Sequence, residues 1–92
     1  MPTPVTLNQI FGAFVNQGTL EDAARWMAAL AAKDAVLAEE VRRALEDGIS
    51  RANAGDVQVV TSVNKSGYRV SDANEAGAYC AELLSLFLAV PG

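Results

Sequence analysis

The sequence predicts a mainly α-helical single domain over residues 1–92, with one β-hairpin before its last helix. Apolar residues recur every three or four positions in four stretches, each of which begins at a residue able to cap a helix. Between the third and fourth stretches the period changes to two, as in a strand. We therefore expect helices at about 7–17, 19–33, 35–54 and 73–89, and hairpin strands at about 57–63 and 68–70.

The first helix is predicted to start at a capping box, in which Thr6 and Gln9 satisfy each other's backbone N–H groups. The apolar residues that follow have helical spacing: Leu7, Ile10, Phe11, Phe14 and Val15. Gly18 is expected to stop the helix. Because Thr19 then caps the second helix directly, we expect the two helices to form an antiparallel or sharply angled pair.

The third helix is predicted to begin at Asp34, which separates it from the second; one long helix with a bend here is the alternative. Its polar sides carry oppositely charged residues at i, i+4 spacing, which is typical of a solvent-exposed face. The pairs are Glu39 with Arg43, Arg42 with Glu46, and Asp47 with Arg51. Gly48 interrupts the pattern and indicates either a bend or the close approach of another segment.

The hairpin prediction depends on alternation. The residues expected on one face of the first strand are Val57, Val59, Thr61 and Val63. The sequence Asn64-Lys65-Ser66-Gly67 suits a type I turn with a bulge, which pairs Val63 with Tyr68 and Thr61 with Val70. Since a two-stranded hairpin is marginal in water, we expect it to pack on the helices or to pair with another edge.

The last helix contains the most apolar run of the chain, and Asp72 with Glu75 predicts its start. A helix that is apolar nearly all round must be covered on several sides, and the other predicted elements offer few segments for this. We expect a second copy of the chain to cover it, which makes the protein a homodimer. The predicted interface consists of Leu83, Leu84, Leu86, Phe87 and Val90.

The composition excludes several classes of function. The chain has no His and only one Cys, which removes the common zinc and copper patterns, imidazole-based catalysis and an intrachain disulfide. A net charge of −4 disfavours nucleic acid and anionic membranes as partners. The N-terminus lacks the features of a signal peptide, and the final apolar run is too short to span a bilayer, so we expect a cytoplasmic protein.

The order of helix, helix, helix, hairpin and helix resembles a winged helix-turn-helix domain with a C-terminal dimerisation helix. The resemblance covers most of the chain and implies DNA binding as an alternative function. It implies that the third helix enters the major groove with Arg42, Arg43 and Arg51. The hairpin becomes the wing, and its Lys65 and Arg69 contact phosphate.

A small-molecule pocket lined by Phe11, Phe14, Trp26 and Tyr79 is a second alternative. For catalysis, no nucleophile, base and orienting group combine into one set, and Cys80 lies on the apolar face of the last helix without a base beside it. We therefore expect a protein that is not an enzyme and needs no cofactor or metal. The sequence favours a small interaction or regulatory protein that forms a homodimer and binds another protein.

Overall fold

The structure, a computed structural model, describes residues 6–16 and 18–90, and this part of the chain contains five helices and no β-strand. The helices are α1 (Leu7–Gln9), which continues directly as a π-helix (Ile10–Val15), α2 (Leu20–Ala31), α3 (Ala35–Asn53), α4 (Val57–Asn64) and α5 (Ala73–Ala89). The prediction of four helices and a hairpin is therefore wrong. Helix α4 occupies the first predicted strand, and residues 68–70 form an irregular connection to α5.

The helix starts predicted from capping residues are confirmed. The Thr6 hydroxyl accepts the Gln9 N–H at 3.3 Å, and the Gln9 side chain accepts the Thr6 N–H at 3.0 Å. Thr19, Asp34 and Asp72 each accept a backbone N–H from the first turn of α2, α3 and α5. Because α2 and α3 are separate helices, the alternative of one bent helix does not apply.

The π-helix widens the first helix, so that an N–H reaches the carbonyl five residues earlier. The Asn16 N–H closes it on the Phe11 carbonyl at 3.1 Å. Ile10, Phe11 and Val15 are buried in the core, whereas Phe14 is half-buried. The predicted end of this helix, residue 17, lies outside the described residues.

The segment from Val57 to Asn64 forms a helix because its buried residues fit one. Val59, Ser62 and Val63 lie at positions i, i+3 and i+4 and are buried, while Val57 is 72% exposed. Val favours strands only weakly, and packing overrides so small a preference. A helix of 8 residues is not stable alone. Packing against the first helix, α3 and α5 therefore stabilises it.

Both ends of α4 are fixed by residues that the hairpin prediction assigned to loops. The Asp56 carboxylate accepts the Gln58 N–H at 2.9 Å and caps the start of the helix. After its end, Gly67 adopts a φ of 98°, the left-handed conformation that favours glycine. The Val70 N–H donates to Oδ1 of Asn64 at 2.8 Å. The predicted hairpin turn is therefore the C-terminal end of a helix.

Helix α5 is the centre of the fold and packs against α2, α3 and α4. Its buried residues are Ala76, Gly77, Cys80, Leu83 and Phe87. Helix α3 runs antiparallel to it, since Ala52 lies beside Gly77 and Gly48 lies beside Cys80. The cover that the apolar sequence of α5 requires is thus supplied in part by α4, within the same chain.

Small residues allow α3 and α5 to lie close together. A Cβ built on Gly77 lies 2.8 Å from Cβ of Ala52, and one built on Gly48 lies 2.7 Å from Cδ1 of Leu7 and 3.2 Å from Sγ of Cys80. At Gly77 the neighbour is a Cβ that no side-chain rotation can move, whereas at Gly48 the neighbours are the end of the Leu7 side chain and Sγ of Cys80. Of the two predicted reasons for Gly48, close approach of another segment is therefore the one that applies. We call Gly48, Ala52, Gly77 and Cys80 the small-residue seam.

Candidate functional site

A large aromatic side chain lies outside the core where the π-helix meets α2. Trp26 is 53% exposed, and its ring meets that of Phe14 edge to face, with centroids 4.8 Å apart and planes inclined by 68°. This is an arrangement that aromatic pairs prefer, so the Trp26 ring has a defined position. Leu30, one turn further along α2, is 41% exposed. We call Phe14, Trp26 and Leu30 the aromatic patch.

The sequence of α2 explains why the patch is exposed. Three of the five buried residues of this helix are Ala: the buried residues on its core side are Leu20, Ala23, Ala24, Met27 and Ala28. Trp26 and Leu30 lie at i and i+4, beside this side. The apolar residues of α2 thus extend over a wider arc of the helix than the core covers. This wide apolar arc can be recognised in the sequence and indicates that part of it is exposed.

Charged residues on α2 lie near the aromatic patch and form only weak ion pairs with one another. Asp22 lies one turn before Trp26. Arg25 lies 4.0 Å from Asp22 and 3.9 Å from Glu21, and all three side chains are mostly exposed. Ion pairs of this kind add little to stability, because water and salt screen them. These charges are therefore available to an approaching partner.

The residues predicted as a dimer interface differ in accessibility. Leu83 and Phe87 are buried by contacts within one chain, so they present no surface to a second copy. The other three predicted residues, Leu84, Leu86 and Val90, are half-buried. Leu88, the residue after Phe87, is 61% exposed. The surface of α5 that is open to a second copy is therefore smaller than the predicted one, and it includes Leu88.

The arginines of α3 form ion pairs within the chain. Arg42 donates from Nη1 to Glu46 at 2.7 Å and from Nε to Glu39 at 3.2 Å. Arg43 donates from Nε to Glu39 at 2.9 Å. The hydrogen bonds from Arg42 and then from Arg43 hold the pKa of the Glu39 carboxyl below its usual range. Two of the predicted i, i+4 pairs are thereby confirmed.

The residues expected to contact DNA do not form a winged-helix surface. Arg51 donates to Asp56 at 2.9 Å and lies 3.5 Å from Asp47, which confirms the third predicted pair. Lys65 is the residue after α4, and Arg69 lies in the connection to α5. Because this segment contains a helix in place of a hairpin, the resemblance to a winged helix is wrong in its wing. The α3 arginines face carboxylates of their own chain.

The aromatic residues predicted to line one pocket are used separately. Phe11 is fully buried in the core, and Phe14 pairs with Trp26. The ring of Tyr79 packs against that of Tyr68, with centroids 4.9 Å apart. The structure therefore keeps Phe14 and Trp26 as one unit and places Tyr79 in another aromatic pair.

Cys80 is the one side chain in the described ranges with the chemistry of a strong nucleophile, and it is buried. Burial raises the pKa of its thiol to about 11, so the reactive thiolate is not formed at neutral pH. Residues 6–16 and 18–90 contain no group of three or more His, Cys, Asp or Glu side chains placed to hold a metal ion. Within those same ranges, no helix combines the length and hydropathy that crossing a bilayer requires.

Comparison with known protein families, with curated proteins and with solved structures yields no match.

Proposed function

We propose that this protein is a small, non-catalytic, cytoplasmic interaction protein that binds another protein through the aromatic patch. The observation that supports this most is the exposed Trp26 ring, held against Phe14 and continued by Leu30. Trp residues contribute a large share of binding free energy at protein interfaces, commonly about 2 kcal/mol or more at a central position. A pre-positioned ring also loses little conformational entropy on binding.

The proposed occupant is an amphipathic helix of another protein that combines apolar and basic residues. The apolar residues of such a helix, repeated every three or four positions, match the one-turn spacing of Trp26 and Leu30. Its basic residues are favoured by Glu21 and Asp22, which outnumber Arg25 on this part of α2, and by the net charge of −4 on the chain. Opposite net charges raise the rate of association and guide the orientation of the partners.

Trp26 is the only Trp of the chain, so its fluorescence reports directly on the patch. The probe is a synthetic amphipathic helical peptide of Leu and Lys, compared with a scrambled peptide of the same composition. We expect the helical peptide to shift the Trp26 emission to shorter wavelength in a saturable titration, because binding removes water from the ring. We expect no saturable shift with the scrambled peptide, which has no continuous apolar face.

A pair of variants separates the patch from general apolar attraction. Leu30→Asp adds a charge inside the patch and keeps the fluorophore, and we expect it to abolish the shift. Val57→Asp makes the same kind of change at a side chain that is 72% exposed on α4, and we expect it to bind like the natural chain. Equal binding by both variants, or no shift in the natural chain, would show that the patch is not the binding site.

Self-association through α5, predicted from the sequence, is kept as a second proposal. It is favoured by the exposed Leu88, with the half-buried Leu84 one turn earlier on the same helix. A second copy that presents the same two residues fits the two-fold symmetry of most homodimers. Leu84 and Leu88 lie on α5, whereas Trp26 and Leu30 of the aromatic patch lie on α2.

A further inference from the structure

A polar cleft lies where the first helix, the C-terminal part of α3 and α4 meet. Its volume is about 460 Å³, within the range of sites that hold small molecules. The polar residues of its wall include Asn8, Arg51, Thr61, Ser62 and Lys65. None of the described residues that line it is acidic, although it contains two cationic side chains. Arg51 is paired with Asp47 and Asp56, so Lys65 supplies the net positive charge of the wall in a protein that carries a net negative charge.

The guanidinium of Arg51 has a fixed orientation at this cleft. Its Nε donates to Oδ2 of Asp56 and its Nη2 donates to Oε1 of Gln58, both at 2.9 Å. Its Nη1 also donates to Oδ2 of Asp47 at 3.5 Å. A guanidinium has five N–H donors, so these three bonds leave one N–H group on each terminal nitrogen. Arg51 therefore supplies positioned donors without a search over side-chain rotamers.

The other groups of the wall are also donors. The Ser62 hydroxyl donates to Oδ1 of Asn8 at 2.6 Å, which orients the Asn8 side chain and leaves its amide N–H groups for another acceptor. Across the described part of the chain, the Lys65 ammonium takes part in no ion pair or hydrogen bond. An ammonium has three donors and no acceptor. The cleft is therefore lined by several side chains that have unused hydrogen-bond donors.

We propose that this cleft binds a small organic anion through a phosphate or carboxylate group. The oxygens of such a group accept hydrogen bonds from the Lys65 ammonium, the Arg51 terminal nitrogens and the Asn8 amide. Hydrogen bonds between ionised groups are stronger than neutral ones, and Lys65 supplies the charge that no carboxylate of the described chain neutralises. The hydroxyl of Thr61 adds a donor at the rim.

The test is a titration of the ¹⁵N-labelled full chain, followed by NMR, with inorganic phosphate in one series and succinate in another at constant ionic strength. We expect saturable shifts of the Asn8, Thr61 and Ser62 amide signals with at least one of the two anions. Saturation with phosphate alone identifies a phosphate site, and saturation with succinate alone identifies a carboxylate site. Absence of saturable shifts with both anions would overturn the proposal.

Lysine variants distinguish a built site from general attraction of anions. Lys65→Gln is expected to weaken binding by about tenfold, the usual effect of losing one charged hydrogen bond. The chain has only one other lysine, Lys33, in the turn before α3, and Lys33→Gln removes the same charge away from the cleft. Lys33→Gln is expected to bind like the natural chain. Equal effects of the two substitutions, or unchanged binding by Lys65→Gln, would contradict the proposal.

Discussion

Asp56 shows how one residue can decide the structure of the segment that follows it. Its carboxylate accepts the Gln58 N–H at the start of α4 and also the Nε–H of Arg51, which belongs to α3. The hydrogen bond from Gln58 and then that from Arg51 hold the pKa of the Asp56 carboxyl below its usual range. Ionised Asp56 is therefore favoured by the folded state over the unfolded state.

This depressed pKa makes part of the stability depend on pH. The contribution is fully present above the pKa of Asp56 in the unfolded chain, and it is lost as the pH falls through the lower pKa of the folded state. Asp56→Asn can still cap the helix, but it does not titrate. We expect the variant to be less stable than the natural chain near neutral pH and to lose less stability on acidification.

The measurement is the midpoint of urea unfolding for both chains between about pH 7 and pH 2, a range that spans carboxyl titration. The two curves should approach each other at the acid end. Parallel curves over this range would show that the bonds to Asp56 do not stabilise the folded state.

Local chemistry was predictable from the sequence where a capping residue precedes a clear helical pattern and where opposite charges lie one turn apart on a helix. The caps at Thr6, Thr19, Asp34 and Asp72 follow from residue type and position, as do the ion pairs of α3. The role of Asp56 was missed because it follows a helix end and precedes a run of Val. The hydrogen bond from Arg51 to Asp56 joins α3 to the start of α4, so it depends on how these two helices are arranged.

At the scale of elements, the contact between α3 and α5 depends on the small-residue seam. A Cβ added at Gly77 would lie 2.8 Å from Cβ of Ala52, which is too close. Rotation of a side chain moves neither atom, because both are bonded directly to the backbone. Relief of this contact requires the two helices to separate. Separation would weaken the packing of α5, the central helix.

Gly77→Ala is therefore expected to destabilise the protein by about 1 kcal/mol or more, since overpacking outweighs the better helix propensity of Ala. Adding Ala52→Gly removes the facing methyl, so the double variant should recover part of the loss. Gly12→Ala is the matched control, because its nearest contact is 3.9 Å from the added Cβ. We expect that control to be neutral or slightly stabilising.

Urea unfolding of five chains measures these effects: the natural chain, Gly77→Ala, Ala52→Gly, their double variant and Gly12→Ala. The two single variants and the double variant together give the coupling between the two positions. Additive losses at the two positions would contradict a direct contact. A Gly77→Ala variant as stable as the control would show that α3 and α5 separate without cost.

The error over α4 shows where prediction of elements failed. Val57, Val59 and Val63 fit alternation, while Val59 and Val63 also fit helical spacing. Over eight residues the two periods cannot be separated by pattern alone. The choice is made by the helices that surround Val59 and Val63 and bury them completely. The pattern within these eight residues carries no information about such contacts, because they involve segments that are distant in the sequence.

At the scale of the whole molecule, α4 reduces the apolar surface of the C-terminal helix that a second copy of the chain would have to cover. The predicted need for a second copy assumed that one hairpin and three helices must cover α5. The structure supplies α4 as an additional helix against α5, and Leu83 and Phe87 are buried without a partner. The remaining surface for self-association centres on Leu88, which is 61% exposed.

We expect the natural chain to form a dimer that Leu88→Asp converts to a folded monomer. An exposed residue can accept a charge without loss of the fold, whereas a charge at buried Leu83 or Phe87 would unfold the chain. The measurement is molar mass by light scattering over a wide concentration range, with circular dichroism to verify folding. Val57→Asp serves as the control and should remain a dimer.

A natural chain that stays monomeric at all concentrations would rule out self-association and leave the aromatic patch unaffected. A dimer that persists in the Leu88→Asp variant would place its interface elsewhere on the molecule.

The sequence predicts the residues of the candidate sites better than it predicts their exposure. The sequence predicts Trp26 only as one of the residues that line a pocket. Its ring pairs with Phe14, which belongs to a π-helix that no pattern in the sequence indicates.

The small-residue seam also limits how this fold can diverge in evolution. A lineage that enlarges the side chain at one seam position must reduce the facing one, so changes at Ala52 and Gly77 are expected to occur in pairs. The summed side-chain volume of each facing pair should then be more strongly conserved than the identities of its two residues. Remote descendants of this chain should be recognisable by two sets of small residues, at the spacings of Gly48 to Ala52 and of Gly77 to Cys80, after the surface has changed beyond recognition.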